Sequence, residues 1–308
     1  MAMLLNPDIL TQLAPLELKA RTIIEGFISG LHRSPYHGFS VEFAEHRPYN
    51  PGDDFKHIDW KAYGKTGKFY VKQYEEETNL RAHIVLDVSS SMYFSHFADW
   101  SKLRYAIHYA ASLMYLMNRQ RDACGLVTFD QEIGLKYPPK SSYNHLRLLF
   151  GELEKILEQE EERSKEQRES ASADALHELA EQLKHRSLVV ILSDLFENVS
   201  DHDALISALK HLRHRKHEVL LLNVLEHKSE RLLDFPDGTF LFEDMETGSE
   251  VEVVPAQLKE SYRKKIKEFT YKFKLACSES KIDFQEIDTQ SPFDLALLAY
   301  LNKRKRLG

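Results

Sequence analysis

Two rhythms of apolar and polar positions run along this chain, and the change comes near residue 80. From there onward, short apolar runs alternate with longer stretches whose apolar residues recur three and four apart. The runs His83–Leu86, Asp122–Phe129, Ser187–Asp194, Glu218–Leu225 and Ile282–Ile287 are short, bounded by polar residues and rich in β-branched and leucine side chains. Such runs predict strands buried on both faces. Between and after them, Asp99–Asn118, Leu146–Leu157, Asp174–Lys184, Asp201–Lys216, Pro255–Cys277 and Phe293–Asn302 carry the helical period. Strand and helix in alternation predict an α/β fold with a doubly wound, mainly parallel sheet. Ile133–Tyr137 can add an edge strand, and Thr239–Glu243 with Glu250–Val254 predict a hairpin inserted near residues 232–255. Upstream, residues 8–31 read as one helix closed by Gly30, since Leu13, Leu16, Ile23, Ile24 and Phe27 share a face. Residues 32–59 hold no helical period, and Phe39–Phe43 and Lys68–Gln73 alternate like short strands. The expected division is therefore an N-terminal helix with an irregular β-rich extension over 1–79, and an α/β domain over 80–308.

Two of the predicted strands end in an aspartate, Asp87 and Asp194, and Ser89 and Ser91 follow the first at alternate positions. Parallel α/β sheets bind ligands outside the carboxyl ends of their strands. Both carboxylates can thus meet in one crevice with two hydroxyls beside them. An oxygen-only set of this kind suits Mg²⁺, Mn²⁺ or Ca²⁺. The plainer alternative is a strand end followed by a serine-rich helix cap.

Asp87-Val-Ser-Ser-Ser91 resembles the DxSxS motif of von Willebrand factor A domains, with Asp194 in the place of their late aspartate. The upstream blocks Arg47-Pro-Tyr-Asn-Pro-Gly-Asp-Asp54, Ile58-Asp-Trp60, Phe69–Lys72 and Glu75–Thr78 resemble the bacterial family catalogued as domain of unknown function 58. The resemblance implies a von Willebrand factor A-type sheet with a metal-ion-dependent adhesion site. Asp87, Ser89, Ser91 and Asp194 would then hold a weakly bound ion. The pattern's threonine is absent; Ser170 aligns best in its place and Ser172 next. It also implies a non-enzymatic interaction module that works with a MoxR-type AAA+ ATPase and a client protein.

Composition narrows the remaining options. With 41 Lys plus Arg against 48 Asp plus Glu, the net charge of −7 argues against a general nucleic-acid binder. Cys124 and Cys277 are the chain's two cysteines and read as buried thiols of a reducing compartment. No run approaches the ~20 apolar residues of a spanning helix, and no leader pattern opens the chain, so a cytoplasmic protein without membrane insertion is expected. No P-loop, nucleophile elbow or zinc-type histidine pair occurs. A metal-dependent hydrolase using the same Asp/Ser site is the catalytic alternative. His83 and His96 read as structural or solvated, the His211–His217 cluster as a solvated basic face, and Asp59–Trp60 as a packing anchor.

Overall fold

A computed structural model describes residues 16–31, 46–48, 60–72, 80–160, 172–194, 202–245, 248–293 and 297. The chain divides into two compact units, Met1–Phe27 with Leu80–Gly308, and Ile28–Asn79. The smaller unit holds strands β1 (His46–Pro48) and β2 (Tyr70–Lys72), paired antiparallel, and a short helix α2 (Trp60–Thr66). That helix was not expected, because seven residues are too few to show a period in a stretch crowded with glycine and aromatic residues. Phe39–Phe43 and the block from Tyr49 to Asp59 lie outside the described residues, as does the side chain of Trp60.

The larger unit includes α1 (Leu16–Leu31) as far as Phe27, and its residues Leu16, Ala20, Ile23, Ile24 and Phe27 form one buried stripe. Its first turn is tied to the α/β body, since the Leu16 N–H donates to Glu154 at 2.8 Å. Residues 8–15 of the expected helix lie outside the described residues.

The body is a mixed α/β fold around a six-stranded sheet. In chain order the strands are β3 (Arg81–Asp87), β4 (Ala123–Phe129), β5 (Ile133–Lys140), β6 (Leu188–Ser193), β7 (Glu218–Leu225) and β10 (Asp283–Asp288). In space the order is β10-β7-β6-β3-β4-β5, all parallel except the antiparallel edge strand β5. The doubly wound, mainly parallel sheet is therefore as expected. Strands β3, β4, β6 and β7 are buried along almost their whole length, which is why they read as continuous apolar runs. β5 reaches further than expected, through Pro138 and Pro139 to Lys140; an edge strand tolerates prolines because the missing N–H groups need no neighbour.

Helices cover both faces. α5 (Ser172–Gln182), α6 (His202–His214) and the long α7 (Pro255–Glu279) pack against Val85, Val127, Val189, Ile191, Val219 and Leu221. Side chains alternate along a strand, so Ile84 and Leu86 of β3 turn to the other face. There α3 (Lys102–Arg119), buried on nearly all sides, lies with α4 (Tyr143–Glu158). The hairpin of β8 (Phe240–Glu243) and β9 (Glu250–Val253) forms as expected, outside the sheet. Phe293 and Leu297 are buried, and the rest of the expected last helix lies outside the described residues.

Candidate functional site

β3 connects onward to β4 on one side, whereas β6, its other neighbour, connects onward to β7 on the opposite side. The crevice beyond the carboxyl ends of β3 and β6 is therefore the topological switch point of the sheet, where such folds bind ligands. Asp87 closes β3, and the register that pairs Leu86 with Leu192 sets Asp87 across from Ser193. The Ser193 hydroxyl donates to Asp87 Oδ2 at 2.6 Å, and the Ser89 N–H donates to Oδ1 at 2.9 Å. Ser89 and Ser91 bring their Oγ atoms to 3.2 Å of each other. A single 3₁₀ turn, Ser90–Tyr93, curls this loop back over the strand end. Asp194, one residue past β6, is buried beside it.

A lysine completes the cluster. Lys102, first residue of α3, extends its ammonium into the crevice, where Nζ donates to Asp194 Oδ2 and to Glu230 Oε1, both at 2.6 Å. It is 2 % exposed and also lies over the Phe94 ring, 5.4 Å from the centroid. Glu230 sits in a π-helical turn, His227–Arg231, a local widening that recurs at functional sites. Its other oxygen accepts the N–H of Glu226 at 2.5 Å. Glu226 in turn accepts the N–H groups of His96, Phe97 and Ala98 on one oxygen, at 3.1, 2.7 and 2.7 Å. These three bonds hold residues 96–98 of the loop between Ser91 and α3.

Charge is unbalanced here. Among the described residues two buried carboxylates, Asp194 and Glu230, share one buried ammonium, and a third, Asp87, faces Asp194. Burial pushes the Asp87 carboxyl up to about 7, and the negative Asp194 adds to the rise. Burial also raises Glu230, against the pull of Lys102. Burial alone would lower the Lys102 ammonium, but Asp194 and Glu230 overcome it and its pKa is raised. Lys102 is thus a permanent cation held by Asp194 and Glu230, while burial and Asp194 favour the protonated form of Asp87 in the absence of a cation.

The donor set at Asp87 fits a small divalent ion. Asp87, Ser89 and Ser91 offer oxygens only, and their chemistry is that of a hard cation. Octahedral bonds of about 2.1 Å place neighbouring ligands roughly 3.0 Å apart, close to the Ser89–Ser91 separation of 3.2 Å. Asp194 is committed to Lys102 and would reach such an ion through water. Among the described residues no group of three or more His, Cys, Asp and Glu side chains forms a metal cluster, so an ion here would rest on hydroxyls as much as on carboxylates.

Four of the five expected site residues thus meet: Asp87, Ser89, Ser91 and Asp194. Ser170 lies outside the described residues, and Ser172 opens α5 with its side chain likewise outside them. Sequence reading missed Lys102, Glu226, Glu230 and Ser193. Lys102 did leave a signal: a lysine in the first turn of a helix opposes the macrodipole, and Ser101 already caps that end by accepting the Arg104 N–H. His83 is structural, buried with its pKa lowered by burial to about 4. The solvated histidine face is corrected in one place. His217 is buried at the turn that ends α6, where its N–H donates to the Leu212 carbonyl, and burial lowers its pKa. Cys124 and Cys277 are buried free thiols, both raised by burial to about 12.

Comparison with known proteins gives the following matches. The family model described as "Protein of unknown function DUF58" matches residues 45–272. The uncharacterized protein Mb1516 of Mycobacterium bovis is 25% identical over 243 residues, covering 79% of this chain and 73% of its own. The uncharacterized protein Rv1480 of Mycobacterium tuberculosis matches with the same identity and coverage. Among solved structures, the conserved hypothetical protein BatB from Bacteroides thetaiotaomicron aligns with a TM-score of 0.46 at 12% identity, over 74% of this chain and 100% of its own. An aerotolerance-related membrane protein from Bacteroides fragilis aligns with a TM-score of 0.46 at 17% identity, over 73% of this chain and 99% of its own.

Proposed function

The chain belongs to the family described as protein of unknown function DUF58, and we propose that its switch-point crevice is a metal-dependent docking site for an acidic group of a partner protein. The observation that carries this reading is the pairing of a buried carboxylate, Asp87, with two hydroxyls at cis-ligand spacing, at the topological switch point of the sheet. Asp87, Ser89 and Ser91 would hold Mg²⁺ or Mn²⁺, with Ca²⁺ the poorer fit because of its longer bonds and higher coordination number. Ser170 would add a hydroxyl from the loop before α5, and Asp194 would act through water. The ion would supply open coordination for a partner's carboxylate, and the protein's own groups orient it. Glu226 clamps the loop, Ser193 holds Asp87, and Lys102 pairs with Asp194.

The partner the sequence resemblance implies is a MoxR-type AAA+ ATPase acting on a client protein, and the activity proposed is binding without catalysis. The same residues would serve a metal-dependent hydrolase if a base or nucleophile faced the ion. Among the described residues, Asp87 and Ser89 are instead engaged with each other and with Ser193. No described helix is long and apolar enough to cross a membrane.

Titration calorimetry with Mg²⁺ or Mn²⁺ on the wild type and Asp87→Ala tests the ion. A binding isotherm confined to the wild type supports it, and identical titrations overturn it. Binding to a purified MoxR-type ATPase without nucleotide, in Mg²⁺ and in chelator, tests the partner. Losing one member of a charge-assisted interface contact costs about 2–5 kcal/mol, so affinity should fall by ~30-fold or more in chelator. Equal affinity in both leaves the bridging mechanism without support. Release of phosphate from phosphoesters in Mg²⁺ by the wild type, and not by Asp87→Ala, would establish the hydrolase instead.

A further inference from the structure

The crevice opens sideways into a groove of about 700 Å³ that runs from Ser91, Lys102 and Glu230 to the β8–β9 hairpin. One wall is the inner face of the hairpin with Phe242 and Val251, and the other is the first turns of α7 with Leu258 and Tyr262. Leu233 and Phe235 lie between them as the floor, and Phe235 meets Phe242 ring to ring at 5.1 Å. Leu258 and Val251 stay 47% and 59% exposed, although both face the groove. The helix wall is anchored to the polar site, because the Tyr262 hydroxyl donates to the Glu230 carbonyl at 2.8 Å. Lys265, exposed and three residues further along the same helix, also lines the groove.

Charge therefore differs along one continuous apolar slot. At the inner end, where Lys102 is already shared by Asp194 and Glu230, a carboxylate would meet Ser91 with its ion, and Lys265 lines the groove as an exposed cation. At the hairpin tip it would meet Glu243 and Asp244, which line the same groove. An acidic group is drawn inward and turned away from the tip, while large apolar side chains fill the slot between. We propose that the groove is the apolar half of the docking site, and that it takes an extended peptide segment of a partner in which one Asp or Glu adjoins two or more large apolar residues. The proposal rests on the docking role given above to the Asp87 crevice and adds the chemistry of what docks.

The test pans a phage-displayed library of random dodecapeptides on the immobilised full chain in Mg²⁺, then titrates a synthetic peptide of the enriched class by fluorescence anisotropy. The expected enrichment is for one acidic residue next to large apolar ones. Leu258→Asp, and independently Val251→Lys on the opposite wall, should each weaken binding at least tenfold while circular dichroism shows an unchanged fold. Replacing the peptide's acid by its amide should weaken binding as much. No enrichment, enriched peptides without an acid, or binding as tight as wild type by both groove variants would each overturn the proposal. The chelator arm separates the two readings. Binding that needs groove and acid but survives chelation supports the groove, with the acid read by the lysines, and sinks the metal reading. Binding lost on chelation and untouched by either groove variant sinks the groove and leaves the metal reading standing.

Discussion

Lys102 decides how the crevice behaves at the scale of single residues. It is a buried cation shared by Asp194 and Glu230, each at 2.6 Å. Removing one member of a buried ion cluster leaves the others uncompensated and costs about 3–5 kcal/mol. Lys102→Met should therefore lower stability by that order in chelator, as measured by urea unfolding. Because removing the ammonium leaves Asp194 and Glu230 uncompensated, Mg²⁺ should recover part of the loss, whereas the same Mg²⁺ addition should leave the stability of Asp87→Asn unchanged. Asp87 carries the opposite sign of effect. Its folded pKa, about 7, lies above the usual 3.8, so its contribution to stability is complete below pH ~4 and is lost as pH rises through 7. In chelator Asp87→Asn, which keeps an acceptor for Ser89 and a partner for Ser193, should be the more stable protein at pH 8. Its advantage should shrink by roughly 1–3 kcal/mol on going to pH 5. A pH-independent difference would mean that Asp87 is ionised as readily as a carboxylate in water.

Elements were legible where burial was complete. β3, β4, β6 and β7 announced themselves because both faces are covered, and α3 because its period is unbroken over 18 residues. What stayed hidden depended on tertiary fit. Gly125 is such a case: a Cβ there would come within 2.4 Å of the Tyr137 carbonyl oxygen and 2.9 Å of the Pro139 nitrogen, where β5 bulges against β4. Backbone cannot retreat as a side-chain tip can, so Gly125→Ala should cost about 1–3 kcal/mol, read as a lowered Tm. The helix-to-strand turns before β7 and β10 offer a change of the opposite sign. Lys216 and Lys281 hold φ of 69° and 57°, a left-handed conformation that costs a residue with a Cβ. Both are exposed, and the turns close on backbone bonds, His217 N–H to Leu212 and Ile282 N–H to Cys277. Glycine at either position relieves that cost and gives back part of it as unfolded-chain entropy. Lys216→Gly and Lys281→Gly should each stabilise by about 0.5–1 kcal/mol, and a fall in Tm would show the side chain contributing more than its stem suggests.

The whole molecule shows why half of the site was readable. Asp87 and Asp194 stand at strand ends, and alternation of strand and helix alone brings two such ends together. Lys102, Glu226 and Glu230 reach the crevice over sequence separations of 92 to 130 residues, through pairings no local pattern records. The same long-range closure sets the response to acid. Burial lowers the pKa values of His83 to about 4 and His108 to about 3, and lowers those of His145 and His217 as well. A histidine depressed in the folded state contributes stability above its unfolded pKa, near 6.5, and loses it as pH falls through the folded value. Asp87 and Glu230, raised by burial, work the other way over part of that range. Four imidazoles against two carboxyls leave a net loss. Unfolding free energy in chelator should fall on the order of 2–4 kcal/mol between pH 7 and pH 5, and more steeply in Asp87→Asn, where one opposing group is gone. The midpoint of urea unfolding across pH 7, 6 and 5 measures both slopes. A flat profile for the wild type together with a flat profile for Asp87→Asn would place water at the imidazoles, and the sheet would then be less tightly closed around its strand ends than its packing requires.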